Sequence, residues 1–251
     1  MKIHNTSCVF TSINESLKAL AFLMLLISLD SCSKDYYPKQ FPPVQTCPDM
    51  PVVTYGGEEY PTVLIENRCW MAKNLNIGMM IGDSIDMTEN NVIEKYCYEN
   101  DTANCTVFGG LYQWDEVMQY KTEEGSQGIC PEGWHIPTNR AFVDLVIYTD
   151  NCSGYLMDNR DTLWRDYGQS ENFNLTGFSA LPSGKRNLPS DVSIYYPYKF
   201  SHLYASTFFW CSKEVDDQNT LCLEFVKDYL EIEEHYFDKK YGLSIRCVKD
   251  E

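Results

Sequence analysis

Hydrophobic and polar positions change period along the chain. Tyr60–Ile65 and Cys69–Met71 are β-prone runs on either side of the polar Glu66-Asn67-Arg68, which predicts a short hairpin. The Gly-, Met- and Asp-rich stretch 78–88 predicts loop. Glu94–Tyr98 reads as a strand, with a turn at Glu99-Asn100-Asp101. Leu111, Trp114, Val117 and Met118 recur at helical spacing and predict a helix over 111–120, ended by the polar, Gly-containing 122–128. Thr138 is placed to cap a second helix running to about Tyr148, with Phe142, Leu145 and Val146 as its buried stripe. Beyond Thr149 the helical period is lost. Short β-like runs follow at Phe178–Leu181, Tyr204–Cys211, Leu221–Phe225 and Leu243–Val248. Helices early and strands late predict an α+β domain, with two helices packed on a small, twisted, largely antiparallel sheet and long irregular loops.

The pattern upstream is of another kind. Lys2 and Lys18 precede the uncharged apolar run Ala19–Leu29, which suits a signal-peptide core and is shorter than the roughly 20 residues that span a bilayer. Leu29-Asp30-Ser31-Cys32 resembles a bacterial lipobox, although Asp30 is atypical there, and Cys32 is the expected lipidation site. Ser33-Lys34-Asp35 resembles the short export signals of Bacteroidetes surface lipoproteins. Pro38, Pro42, Pro43, Pro48 and Pro51 favour an extended, semi-rigid segment. The expected organisation is a signal peptide at 1–31, a Pro-rich tether at 32–51 and one domain at 52–251. The location that follows is the outer membrane or cell surface, with membrane contact through the lipid.

Composition narrows the function classes. The 251 residues carry a net charge of −16, a poor match to phosphate backbones, so nucleic acid is excluded as a partner. Eleven Cys point to an oxidising compartment. With Cys8 lost in the signal and Cys32 lipidated, an odd number remains, so at least one thiol stays free or bridges two chains. Spacing does not fix the connectivity. The candidate pairs are Cys97 with Cys105, Cys211 with Cys222, Cys130 with Cys247 and Cys47 with Cys69, which leaves Cys152 over as a thiol that is free or bridges copies. A Cys-based metal site is disfavoured, since the chain has no C-x-x-C and no His close to a Cys pair.

Six phrases, taken in order, carry a resemblance. They are Asn67-Arg68-Cys69-Trp70-Met71-Ala72-Lys73-Asn74-Leu75-Asn76, Gly109-Gly110-Leu111-Tyr112-Gln113-Trp114, and Cys130-Pro131-Glu132-Gly133-Trp134-His135-Ile136-Pro137-Thr138, then Gly177-Phe178-Ser179-Ala180-Leu181-Pro182-Ser183-Gly184, Phe209-Trp210-Cys211-Ser212, and Tyr241-Gly242-Leu243-Ser244-Ile245-Arg246-Cys247-Val248-Lys249-Asp250. Over about 56–250 the chain resembles the Fibrobacter succinogenes major paralogous domain family. The resemblance implies a C-type-lectin-like fold, stapled here by disulfides, and a secreted or lipid-anchored bacterial protein. It does not imply an activity. The chain departs from the family where an acidic residue usually completes a capping box: Ala141 stands there.

Trp70, Trp114, Trp134 and Trp210 lie in these phrases and are expected in the core. Trp164 sits in a polar stretch, 159–166, and is expected to be exposed. With Tyr195, Tyr196, Tyr198 and Tyr204 of a Pro-containing loop, it forms the candidate ligand-binding set. Asp216, Asp217 and Asn219 make a weak Ca²⁺ corner. The Glu-Pro-Asn, Gln-Pro-Asp and Trp-Asn-Asp phrases of Ca²⁺-dependent lectins are missing, so no cofactor is expected. His135, His202 and His235 have no H-E-x-x-H spacing. The related formylglycine-generating enzymes use a close pair of redox Cys that binds copper, and Cys211 and Cys222 do not match it. Asp83-Ser84-Ile85, Asp101-Thr102-Ala103 and Asp161-Thr162-Leu163 resemble a short O-glycosylation signal of Bacteroidetes. The expected function is noncatalytic binding of a polysaccharide or a surface protein. The rivals are an enzyme acting on envelope glycans or thiols, and a structural subunit of a surface assembly.

Overall fold

The computed structural model describes residues 39–160, 163–164, 173–192, 199–227 and 230–250. Five strands form a first, wholly antiparallel sheet. They are β1 (Val52–Tyr55), β2 (Glu58–Ile65), β3 (Arg68–Met71), β6 (Trp134–His135) and β12 (Val248–Lys249), in the order β1-β2-β3-β12-β6. The second sheet holds β7 (Ser183–Arg186), β8 (Phe200–Leu203), β9 (Ser206–Glu214), β10 (Asn219–Val226) and β11 (Ile232–Asp238), in the order β11-β10-β9-β7-β8. Only its β7–β9 contact is parallel. The short β4 (Met79–Met80) and β5 (Glu94–Lys95) pair in parallel. The α-helices among the described residues are α1 (Thr102–Phe108), α2 (Trp114–Val117) and α3 (Asn139–Tyr148).

The expected hairpin is β2–β3, with Glu66 at φ 57° in its turn. The expected second helix is α3, whose Thr138 hydroxyl accepts the Ala141 N–H at 3.1 Å. Phe142 and Leu145 are buried, and Val146 is half-buried.

The helix expected over 111–120 is shorter. Leu111 and Tyr112 bridge to Tyr96 and Leu243, which draws them out of helical geometry, and Gln119 and Tyr120 turn left-handed at φ 50° and 58°. A further helix, α1, begins where the Asp101 carboxylate accepts the Ala103 N–H. It ends at Gly109, φ 86°.

Phe178–Leu181 is not a strand. The Phe178 and Ser179 carbonyls accept from the buried Arg246 guanidinium, and Asn174 holds Ser179 in a turn at φ 56°. Arg246 also donates to Asn74 Oδ1 at 2.6 Å and to Met71 O at 3.1 Å, and packs on the rings of Phe178 and Phe209. It therefore ties the first hairpin to the second sheet.

The core is aromatic. Trp70, Trp114, Trp134 and Trp210 are all buried, as expected. The indole N–H of Trp114 donates to Cys211 O, and that of Trp210 to Tyr112 O, each at 2.8 Å. Burying these rings therefore leaves neither donor unpaired.

Cys47–Cys69, Cys97–Cys105 and Cys130–Cys247 are disulfides, as expected. The pair Cys211–Cys222 is not formed, and both thiols are free and buried. The register explains this. Cys222 lies opposite Trp210, so Cys211, one position on, points to the other face of the sheet. Cys152 is disulfide-bonded and is not the leftover thiol it was expected to be.

From Lys39 the Pro-rich segment lies on the domain. Phe41 packs on Tyr148 and Tyr155, Lys39 pairs with Asp150 at 3.0 Å, and Gln45 bridges to Leu64. An apolar seat for Phe41 outweighs leaving it in water.

Candidate functional site

The loop between β4 and β5 is fastened from several sides. Arg186 of β7 is buried and donates through Nε (3.0 Å) and Nη2 (2.8 Å) to Asp83 O, and through Nη1 to Lys240 O (2.9 Å). Its guanidinium lies 4.8 Å from the Tyr96 ring, and the Tyr96 hydroxyl donates to Ile85 O at 2.7 Å. The loop backbone is thus held by side chains from two other elements, and Asp83 and Ser84 are presented on it.

Opposite stands the β7–β8 connection. Asn187 N donates to Lys199 O at 2.8 Å, and Ser201 Oγ donates to Asn187 Oδ1 at 2.9 Å. The 3-10 turn Pro189–Asp191 is pinned where the Tyr241 hydroxyl donates to the Asp191 carboxylate at 2.7 Å. Between the two lies a cavity of about 250 Å³, lined by Asp83, Ser84, Asn187, Pro189, Val192 and Lys199.

Lys199 Nζ spans the floor, donating to Asp83 Oδ1 at 2.7 Å and to Ser84 Oγ at 2.6 Å. Ser84 Oγ donates to the same Asp83 oxygen at 2.7 Å, and Asn100 Nδ2 donates to Oδ2 at 2.8 Å. Burial alone would raise the Asp83 carboxyl, but these three donors and the Lys199 charge outweigh it and hold the group below the usual carboxylate range. Among the described residues, Asp83 is the one carboxylate in the lining, whereas glycoside hydrolysis uses two. Ser84 donates to Asp83 and accepts from Lys199, so the three groups form one hydrogen-bonded cluster. The arrangement instead offers a carboxylate, an ammonium, a hydroxyl and an amide beside an apolar wall of Pro189 and Val192. That mixture fits a compact polar ligand.

Of the residues expected at a binding site, the described ones, Trp164 and Tyr204, do not line this cavity. Trp164 is buried, 2% exposed, and its indole N–H donates to Ala180 O at 3.1 Å, so it is a core residue and not a contact. Its polar sequence neighbours concealed a distant partner. Tyr204 is half-buried, edge-on to Phe108. Tyr195, Tyr196 and Tyr198 lie outside the described residues. In sequence they fall between Val192 and Lys199, both of which line the cavity.

The Ca²⁺ corner is a self-satisfied turn. Asp216 Oδ1 accepts the N–H groups of Gln218 and Asn219, and the Asn219 side-chain amide donates to both Asp216 oxygens. Asp217 contributes its carbonyl to Lys239. The Asp216 oxygens expected to face a cation are spent on the turn. Among the described residues, the group whose donor atoms converge within 4.8 Å is Glu224, Glu233 and His235, on β10 and β11. Of the cavity residues, only Asp83 and Ser84 had a sequence signal, the glycosylation-like Asp83-Ser84-Ile85. Asn187 and Lys199 had none.

The family model for the Fibrobacter succinogenes major domain matches residues 63–249, a span that includes every residue lining the cavity. No curated protein and no solved structure matches the chain.

Proposed function

The chain belongs to the Fibrobacter succinogenes major domain family, and from that premise we propose that it is a noncatalytic binding module of a bacterial cell envelope, anchored through lipid on Cys32 and recognising a polysaccharide by a single sugar unit. The observation that carries this reading is the Asp83–Ser84–Lys199–Asn187 cavity. Ligand cavities run roughly 300–1,000 Å³, so one of this size suits one ring and not an extended chain. Vicinal hydroxyls match its mixture of acceptors and donors, and the Pro189–Val192 wall suits the apolar face of a sugar.

A C-type-lectin-like architecture is part of the proposal. Pairing of the last strand, β12, with β3 of the first hairpin supports it, as do the long loops braced on two sheets. A signal peptide at 1–31 and a tether that begins at the lipidated Cys32 precede the domain in this reading. Calcium has no part in this reading, because the Asp216 turn uses its own oxygens.

A glycan array probed with the protein, with and without chelator, tests the reading. Binding to one sugar class that survives chelator and falls at least about tenfold in Asn187→Ala, consistent with one lost polar contact at a desolvated site, supports it. Equal binding by wild type and Asn187→Ala, or no glycan bound at all, sinks it.

A further inference from the structure

The β10–β11 ladder sets Glu224 opposite Glu233 and Cys222 opposite His235. Opposed residues share a face, and so do residues two apart, so both carboxylates and the imidazole stand on one side of the sheet. Like charges directly opposed across strands destabilise the pairing. Here the pair joins β10 to β11, the outer strand of its sheet. His235 Nε2 is 2.9 Å from Glu224 Oε2 and 3.4 Å from Glu233 Oε2. The atom is sealed from solvent and yet makes no hydrogen bond, so the ring is close to both oxygens without being aligned to either. A buried polar atom in that position has given up its water without an aligned hydrogen bond in return.

We propose that Glu224, Glu233 and His235 bind one divalent transition-metal cation, with Zn²⁺ the best match. One imidazole and two carboxylates are a borderline N/O donor set, which suits Zn²⁺ better than Ca²⁺ or Mg²⁺, whose ligands are oxygens. Ligands about 2.0–2.2 Å from one tetrahedral ion stand about 3.3–3.6 Å apart. The three donor atoms already lie within 4.8 Å of one another, so modest side-chain rotation closes the site. The side chains of His235 and Glu233 keep 31% and 45% of their surface exposed, which gives an ion access from solvent. The ion would neutralise the opposed pair and give Nε2 its missing partner, tying the outer strand to β10. Lys185 shares this side of the sheet, its ammonium 4.5 Å from the Phe237 ring and 5.1 Å from the Phe208 ring, and is the positive charge with which the ion would compete for Glu224.

The test is calorimetric titration of the metal-stripped full chain with ZnCl₂, alongside His235→Gln and Glu233→Gln. Both changes lie on a partly exposed outer strand, and a circular-dichroism melt of each variant confirms folding. One Zn²⁺ per chain, bound roughly tenfold or more weakly by each folded variant, is the expected result. Wild type that takes up no Zn²⁺, or variants that bind it equally, would overturn the site. Co²⁺ in place of Zn²⁺ gives an independent readout: visible d–d bands without a thiolate charge-transfer band are expected. A thiolate band would assign the ion to cysteine and overturn the donor set.

Discussion

Glu124 Oε1 accepts the backbone N–H of Asn139 at 2.8 Å, so a carboxylate fifteen positions upstream helps cap α3. The sequence lacks the acidic residue that would complete a local capping box, and Ala141 fills its place. Tertiary structure supplies the charge instead. It also sits at the positive end of the helix dipole, where an anion is stabilising. Replacing Glu124 by Ala is expected to cost about 0.5–1 kcal/mol, and Thr138→Ala about 1 kcal/mol. Urea midpoints with an unchanged slope would check both. The two losses should couple, since both side chains serve the same first turn.

Trp164 answers to stability and not to ligand. Trp164→Ala is expected to lower unfolding free energy by roughly 3–5 kcal/mol. Trp164→Phe should lose less, since it keeps most of the ring and gives up the bond to Ala180 O. Fluorescence quenching by acrylamide gives a second check: the emission from Trp164 should be protected in the native state.

The free thiols should be silent. Burial pushes Cys211 up to about 12 and Cys222 higher still, so neither forms thiolate near neutral pH. A thiol reagent should modify them only after denaturant is added. The same burial makes stability fall with alkali. A group whose folded value is raised contributes fully below its unfolded value, about 8.5 for Cys, and loses that contribution as pH climbs toward the folded one. Thermal midpoints should therefore decline between about pH 9 and 12. The decline should be shallower in Cys211→Ala, measured against its own midpoint at pH 7.

Asp83 acts at the other end of the pH scale. Its carboxyl is held low, so its contribution is present above the unfolded value of about 3.9 and disappears as pH falls through the lower folded value. Asp83→Asn should flatten the acid limb of a stability profile. At pH 7 it should cost on the order of 1 kcal/mol, because Lys199 and Ser84 keep an acceptor and lose a charge.

How much of this was legible depended on where each partner lay. The first hairpin and α3 were readable because their turn residues and cap lie within a few positions of the elements they shape. The four core Trp residues were readable because they lie in the phrases that carry the family resemblance. Trp164 was misread because its polar neighbours say nothing of Ala180, sixteen positions on. Cys211 and Cys222 looked pairable by separation, yet a one-position offset in the ladder sends them to opposite faces. The cavity was the least legible part. Asp83 and Lys199 are 116 positions apart, and their contact exists only once β7 and Arg186 have fixed the loop. Glu224, Glu233 and His235 converge through strand register, and register emerges only once the hairpin is built.

The pairing of β12 with β3 has a consequence for how the protein is made. The first sheet has β3 at its centre, with β1 and β2 on one side and β12 and β6 on the other, so β3 waits for the last strand before its second edge is covered. At about 5–20 residues per second, the stretch from Met71 to Lys249 takes roughly 10–35 s to synthesise. Through that interval the edge of β3, carrying Trp70, stands open as a template for another strand. A chain built this way favours being kept unfolded until its final residues have emerged, and a truncation before Val248 should aggregate where the whole protein does not.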